Sequence, residues 1–120
     1  MIRLILFFLL SLAASAVAGL IKDELVGHWR YANERLACDY VFLGDGTFTG
    51  DVSHEGVIVW TYEGTWSISG DVLNYKYTKS SVEQVPAGHT DQDRVIEITE
   101  DHYVVETRDG SKHRYWRVTK

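Results

Sequence analysis

Five histidines and a scatter of carboxylates carry most of the overt chemistry in this sequence. His28, His54, His89, His102 and His113 fall in no His-x-His, HExxH or Cys-x-x-Cys setting. A metal needs several such ligands converging on one point, so no metal site and no cofactor are expected. Asp39, Asp45 and Asp51 invite a hydrolytic reading, but Asp45 lies in the turn sequence Leu43-Gly44-Asp45-Gly46. The other two read as solvated strand residues. The stretch 83–93, EQVPAGHTDQD, brings His89 near Asp91 and Asp93. With Pro86 and Gly88 inside it, this stretch reads as a polar rim loop. No G-x-S-x-G elbow, phosphate-cradling glycine loop or dinucleotide fingerprint occurs. No catalytic residue is assigned, and the chain is not expected to be an enzyme. Catalysis would need a tyrosine with Arg114, or His89 with Asp91, to polarise a substrate.

Aromatic residues at alternate positions are the more informative set: Trp60, Tyr62 and Trp66, then Tyr75 and Tyr77, then Tyr103. Such residues build a core before they do anything else. An inward tyrosine nevertheless needs a partner for its hydroxyl. Several hydroxyls near one opening would form a small amphipathic pocket. These six residues together with Arg114 are the expected ligand-binding set, suited to a small apolar or aromatic molecule.

Those side chains have to be positioned by the mature part of the chain. Met1-Ile2-Arg3 opens the sequence, an apolar run covers Leu4 to Leu12, and Ala16-Val17-Ala18 supplies a small-x-small cleavage pattern. Residues 1–18 therefore read as a signal peptide, too short and too terminal for a membrane span. The expected product is an exported protein, periplasmic or secreted, that starts at Gly19 and forms one domain over 19–120. The formal charge of −5 disfavours nucleic acid and anionic lipid as partners. Cys38 is the only cysteine, so no internal disulfide braces the core. It reads as a small buried hydrophobe, with a reactive thiol or an intermolecular bridge as the alternative.

Helical periodicity is almost absent. Alternating segments separated by turn signals read as eight strands, roughly 24–31, 37–43, 47–53, 57–69, 72–78, 93–99, 102–108 and 112–119. Gly70-Asp71 suits a two-residue hairpin loop, which sets Ile68 opposite Leu73, Trp66 opposite Tyr75 and Gly64 opposite Tyr77, with Gly64 making room for the Tyr77 ring. Phe42 pairs with Phe48 if Gly46 closes its turn in the left-handed region. Glu100-Asp101 pairs Ile98 with Tyr103 and Ile96 with Val105. Asp109-Gly110, read as a second two-residue loop, pairs Val105 with Arg114 and Tyr103 with Trp116. The resulting inner face also takes in Trp29, Ile58, Trp60, Tyr62 and Val118. A one-residue slip would turn every such face outward. With no helix to cover it, a sheet of this kind closes on itself or stacks as a sandwich, and periodicity alone does not separate the two.

Gly27-His28-Trp29 at the start of the first strand resembles the G-x-W motif of the lipocalin superfamily. "FLGDGTF" and the later Gly64-Thr65-Trp66 hairpin look like those of bacterial lipocalin-like domains. The resemblance implies a small eight-stranded antiparallel up-and-down β-barrel. It also implies that Trp29, with Gly27 beside it, plugs one end under an arginine from the last strand. Arg114 is the expected arginine because it shares a face with Trp116 and Val118; Arg117 is the rival. A guanidinium over an indole is worth on the order of 0.5–2 kcal/mol. Relative to typical lipocalins the chain is short and lacks a C-terminal helix and a disulfide. It should therefore be filled by its own side chains or hold one small ligand.

Two functions follow as expectations. The first is a non-enzymatic binding protein for a small apolar or aromatic ligand. The alternative is a protein-binding module, such as a periplasmic inhibitor or immunity protein. It would act through loop 79–92 and an outer strip of His102, Glu106, His113, Tyr115 and Arg117.

Overall fold

Turn chemistry sets the registers of this sheet, and most of them match the sequence-based expectation. A computed structural model describes residues 20–119; the expected signal peptide at 1–18 lies outside them. A short helix, α1 (Lys22–Leu25), precedes eight strands: β1 (Gly27–Ala32), β2 (Leu36–Phe42), β3 (Thr47–His54), β4 (Val57–Ser69), β5 (Val72–Ser80), β6 (Thr90–Ile98), β7 (His102–Glu106) and β8 (Lys112–Thr119). Every neighbouring pair is antiparallel, and β1 also pairs with β8, so the sheet closes into a barrel in sequence order. Closure leaves no unpaired edge, which is how this all-β chain avoids edge-to-edge association. No described helix is long and apolar enough to cross a membrane.

Around Gly70-Asp71, Ile68 faces Leu73, Trp66 faces Tyr75 and Gly64 faces Tyr77. Phe42 faces Phe48 across the β2–β3 turn, and Ile98 faces Tyr103 across the β6–β7 turn. The space at Gly64 is filled not by Tyr77 but by Phe48 and β5 itself. A Cβ there would lie 2.7 Å from Phe48 Cε1 and 2.1 Å from the Lys76 carbonyl oxygen.

Three local departures from strict alternation correct the expected inner face. The β7–β8 connection has three residues, not two: Thr107 N–H bonds the Ser111 carbonyl, and Gly110 N–H bonds that of Thr107. Gly110 takes φ +87°, matching Gly46 at +90° in the β2–β3 turn; both close a type I turn with a left-handed glycine. The extra residue shifts β8 by one, so Tyr103 faces Tyr115 and Val105 faces His113. Trp116 and Val118 are consequently exposed, and Tyr115 is buried. In β6 a bulge at Ile96 turns Val95, fully buried, inward against Val105. A bulge at Val59 leaves Ile58 on the surface at 60% exposure.

The interior is packed with rings. Tyr40, which shares a face with Phe42, sits at the centre with ring centroids 5.5–5.6 Å from Phe42, Tyr62, Tyr75 and Tyr115. Such aromatic pairs add about 0.5–1.5 kcal/mol each beyond area burial, a substantial support for a core with no disulfide.

Candidate functional site at the open end of the barrel

One end of the barrel is sealed. Trp29 is fully buried, and its indole N–H donates to the Leu25 carbonyl at 2.8 Å. Gly27 takes φ +135° where the chain leaves α1 for β1. That backbone is rare for any residue with a Cβ and accounts for the glycine of the G-x-W motif. The arginine over Trp29 is Arg117, its guanidinium carbon 4.0 Å from the ring centroid. Arg117 also donates to the carbonyls of Glu100 (2.6 Å), Val26 (3.0 Å) and Glu24 (2.9 Å). Together Trp29 and Arg117 satisfy the carbonyls of Glu24, Leu25 and Val26 where α1 ends. Arg114, the expected partner, lies on the outer wall over Trp116, 5.5 Å from its ring. It neither plugs the barrel nor lines its interior, because the three-residue loop turns it outward. Trp66 belongs to the sealed end too: its indole donates to the Leu43 carbonyl, and Lys22 Nζ stands 5.2 Å over its ring.

The opposite end is less completely covered. Tyr31 on β1, Cys38 on β2 and Trp60 on β4 are half-buried there. Trp60 donates its indole N–H to Ser80 Oγ at 2.9 Å. The loop 81–89 lies against this end, with Val85 packed on the core and His89 stacked on Tyr77 at 5.9 Å. Strand β6 begins at Thr90, so Asp91 and Asp93 are strand residues, not loop residues. They share the inward face of buried Val95. His113, moved inward by the shift of β8, meets Tyr31 edge-on at 4.8 Å.

The hydroxyls below this rim are unevenly served. Tyr75 donates to Asp93 Oδ2 at 3.0 Å, and Tyr62 makes a long 3.4 Å contact to the Asp39 carbonyl. Tyr103 stacks on Tyr115 at 5.0 Å, and its hydroxyl alone among the buried side-chain polar atoms of the described residues makes no hydrogen bond. Burial drives the Tyr40, Tyr75, Tyr103 and Tyr115 hydroxyls well above the ordinary tyrosine range, and Tyr77 to about 12. Burial also raises the Asp93 carboxyl, with Asp91 adding to the rise; the Tyr75 hydrogen bond and His113 oppose it. Cys38 is raised by burial first, then by Asp39 and Asp51, which keeps it a thiol of low reactivity.

The sequence-based set is thus divided. Trp60, Tyr62, Tyr75 and Tyr77 reach the middle or upper interior, Tyr103 packs edge-on against Trp29 at 4.8 Å, Trp66 sits at the seal and Arg114 lies outside. Alternation alone would have added Tyr40, two residues from Phe42; Asp93 and Tyr115 depended on strand bounds and loop length. On the outer wall the largely covered Asp39 carboxylate accepts from His28 (2.7 Å) and Arg30 (2.9 Å). No described group of three histidines, cysteines or carboxylates is arranged to hold a metal ion.

No family model and no curated protein matches this sequence. Solved structures do resemble it. A lipocalin-like protein from Bacteroides uniformis superposes with a TM-score of 0.57 at 15% identity, covering 78% of this chain and 98% of its own. A second protein from the same organism, solved by NMR, gives a TM-score of 0.58 at 18% identity, covering 79% and 89%. Likeness at this level of identity concerns the fold. With a closed eight-stranded antiparallel meander sealed under Trp29, this chain has the lipocalin-like fold.

Proposed function

We propose that the protein is an exported, non-enzymatic binding protein that takes a small aromatic or apolar molecule at the open end of its barrel. The observation that carries this reading is the asymmetry of the two ends. Helix α1, Trp29 and Arg117 close one, while half-buried Tyr31 and Trp60 stand at the other above a tyrosine-lined interior. Apolar rings that remain partly wet gain from covering, at roughly 25 cal/mol per Å² of apolar surface removed from water. The packed centre limits the ligand to a small one, seated above Tyr40.

Intrinsic tryptophan fluorescence of the mature protein tests the reading, because Trp60 stands at the proposed site. Titration with fatty acids, retinoids, haem and simple aromatic molecules should give saturable quenching for at least one small member, and Trp60→Phe should remove most of it. Saturation by none of them would refute ligand binding. Export is supported by the apolar run and Ala16-Val17-Ala18. Intact mass of the protein from the cell envelope should show a chain that begins at Gly19; retained residues 1–18 would contradict it.

A protein-binding role is favoured by Trp116. It is 51% exposed on the outer wall, between Arg114 and His102. The outer strip expected from the sequence dissolves, since His113, Tyr115 and Arg117 face inward and the connecting loop shortens to 81–89. Trp116→Ala should leave small-molecule quenching intact, and would abolish a protein complex recovered with the wild type if this second reading holds.

A further inference from the structure

We infer that two copies of this chain associate through the start of β4, pairing edge to edge and antiparallel beside the open end. The closed part of the sheet has no edge, but the β3–β4 hairpin runs past it. β4 pairs with β3 from Val57 onward, yet β5 first meets it at Tyr62, opposite Ser80. One more backbone bond, from Ser81 N–H to the Thr61 carbonyl, ends the contact on that side. Val57 to Trp60 thus present a backbone edge that no described backbone group pairs on the β5 side. Their side chains leave it bare: Val57, Ile58 and Val59 are each more than half exposed. Neighbouring strand residues point to opposite faces, so this end of the ribbon is apolar and wet on both. Three consecutive exposed apolar residues are out of place on a surface that has no role. Nor is the edge blunted by lysine or proline, neither of which occurs between Gly56 and Tyr62.

A row of unpaired N–H and C=O groups is matched by an extended chain and by little else. The nearest segment of the same molecule, loop 81–89, cannot supply one. It has to return to Thr90, which pairs with Lys76. Extending β5 along the edge to Val85 would carry it roughly 30 Å past Lys76, while the five peptide steps back to Thr90 span at most about 17 Å. The described chain also begins and ends at the sealed end, where Thr119 pairs with His28. In the mature protein the covering strand therefore comes from another molecule, and β4 itself fits. Gly56 to Tyr62 carries no charge, so two net-negative molecules meet here without setting like charges opposite each other. A two-fold axis near Ile58 places Val57 opposite Val59 of the second copy, twice over, and joins β-branched residues that pair well across strands. Ser81 beside Thr61 stops the ladder at Trp60. A contact this short buries less than the roughly 1,200 Å² of a standard interface, so the dimer is weak and depends on concentration.

Sedimentation equilibrium of the mature protein, without any ligand, tests this. Between about 10 μM and 1 mM the weight-average mass should rise from that of a monomer toward that of a dimer. Over the same range the amide shifts that move should be those of residues 57–61. Ile58→Lys puts a charge on the edge at an exposed position, and near-ultraviolet circular dichroism should show the wild-type fold. That variant should stay monomeric throughout, and Val57→Lys should associate several-fold more weakly than the wild type. Leu43→Lys adds the same charge at an exposed position of the sealed end, and it should associate as the wild type does. A wild type that is monomeric at every concentration would overturn the inference, as would association that survives Ile58→Lys. Association lost in Trp116→Ala and kept in Ile58→Lys would overturn it too, because the contact would then lie on the outer wall. None of these outcomes alters the fluorescence titration, so the ligand-binding reading stands or falls separately.

Discussion

Arg117 shows how much one side chain can be asked to do. Its ring contact with Trp29 and its bonds to three backbone carbonyls tie β8, the β6–β7 turn and the end of α1 together. Trp29→Ala should cost roughly 3–5 kcal/mol through the cavity it leaves. Arg117→Ala should cost about 2–4 kcal/mol, because three backbone carbonyls lose a charged donor and the Trp29 ring loses its cation. Arg114→Ala should stay within about 0.5 kcal/mol. Urea melts of the single variants, and of Trp29→Ala with Arg117→Ala, should show strong non-additivity for that pair; a silent Arg117→Ala would break this picture. Asp109 offers a pH test. Bonds from the Thr107 hydroxyl, and then Ser111, hold its carboxyl down at about 2 from an ordinary 3.8. A depressed folded pKa means stability that is present above the unfolded value and lost as pH falls toward the folded one. The gap in urea midpoint between wild type and Asp109→Asn should therefore be full at pH 6 and shrink between pH 4 and 2. A gap that stays constant over this range would contradict it. The sequence HRYWRV offered two alternating faces with an arginine on each. Arg114 sat on the more apolar one, and parity gave no reason to prefer the other. What selects Arg117 is the need of α1 carbonyls for donors, which a strand pattern does not display.

At the level of elements, legibility depended on loop length. Gly70-Asp71 is a true two-residue loop, so pairing outward from it was correct through Gly64 and Tyr77. LGDGT and TRDGS build the same turn. Asp45 accepts from Thr47 N–H and Asp109 from Ser111 N–H, both at 2.9 Å, and Gly46 and Gly110 take matching positive φ. An aspartate, a glycine and then a threonine or serine is thus the cue for this turn, and it stands at both Gly46 and Gly110. One residue of loop turned a whole strand over. The bulges at Ile96 and Val59 have no comparable marker: Val59 lies inside the apolar run Val57 to Trp60, and Val95-Ile96 sets two apolar residues side by side, so neither parity stands out. Gly110→Ala meets nothing within 4 Å, so its cost is purely conformational. It should be about 1–2 kcal/mol, and Gly110→Asn should cost less because asparagine tolerates the left-handed region. Equal stability of alanine, asparagine and glycine at this position in thermal melts would contradict the turn assignment.

For the molecule as a whole, the eight-strand count and the all-β class were legible from alternation and turn spacing. Closure was not, because it rests on β1 meeting β8 across nearly the full chain. Periodicity is blind to a contact of that range, and the G-x-W resemblance supplied what it lacked. The consequence for function is a molecule with two unlike ends. One is tied shut by tryptophan, arginine and α1; the other holds tyrosines, two carboxylates and a histidine beside a short loop. The most direct measurement follows backbone amide shifts of the isotope-labelled protein during titration with the small aromatic or apolar molecule that quenches its tryptophan fluorescence. Saturable shifts should gather at Tyr31, Cys38, Tyr77, Asp91, Asp93 and His113, with Trp29 and Arg117 unmoved. Shifts centred on Arg114 and Trp116, or none that saturate, would contradict a ligand site at the open end.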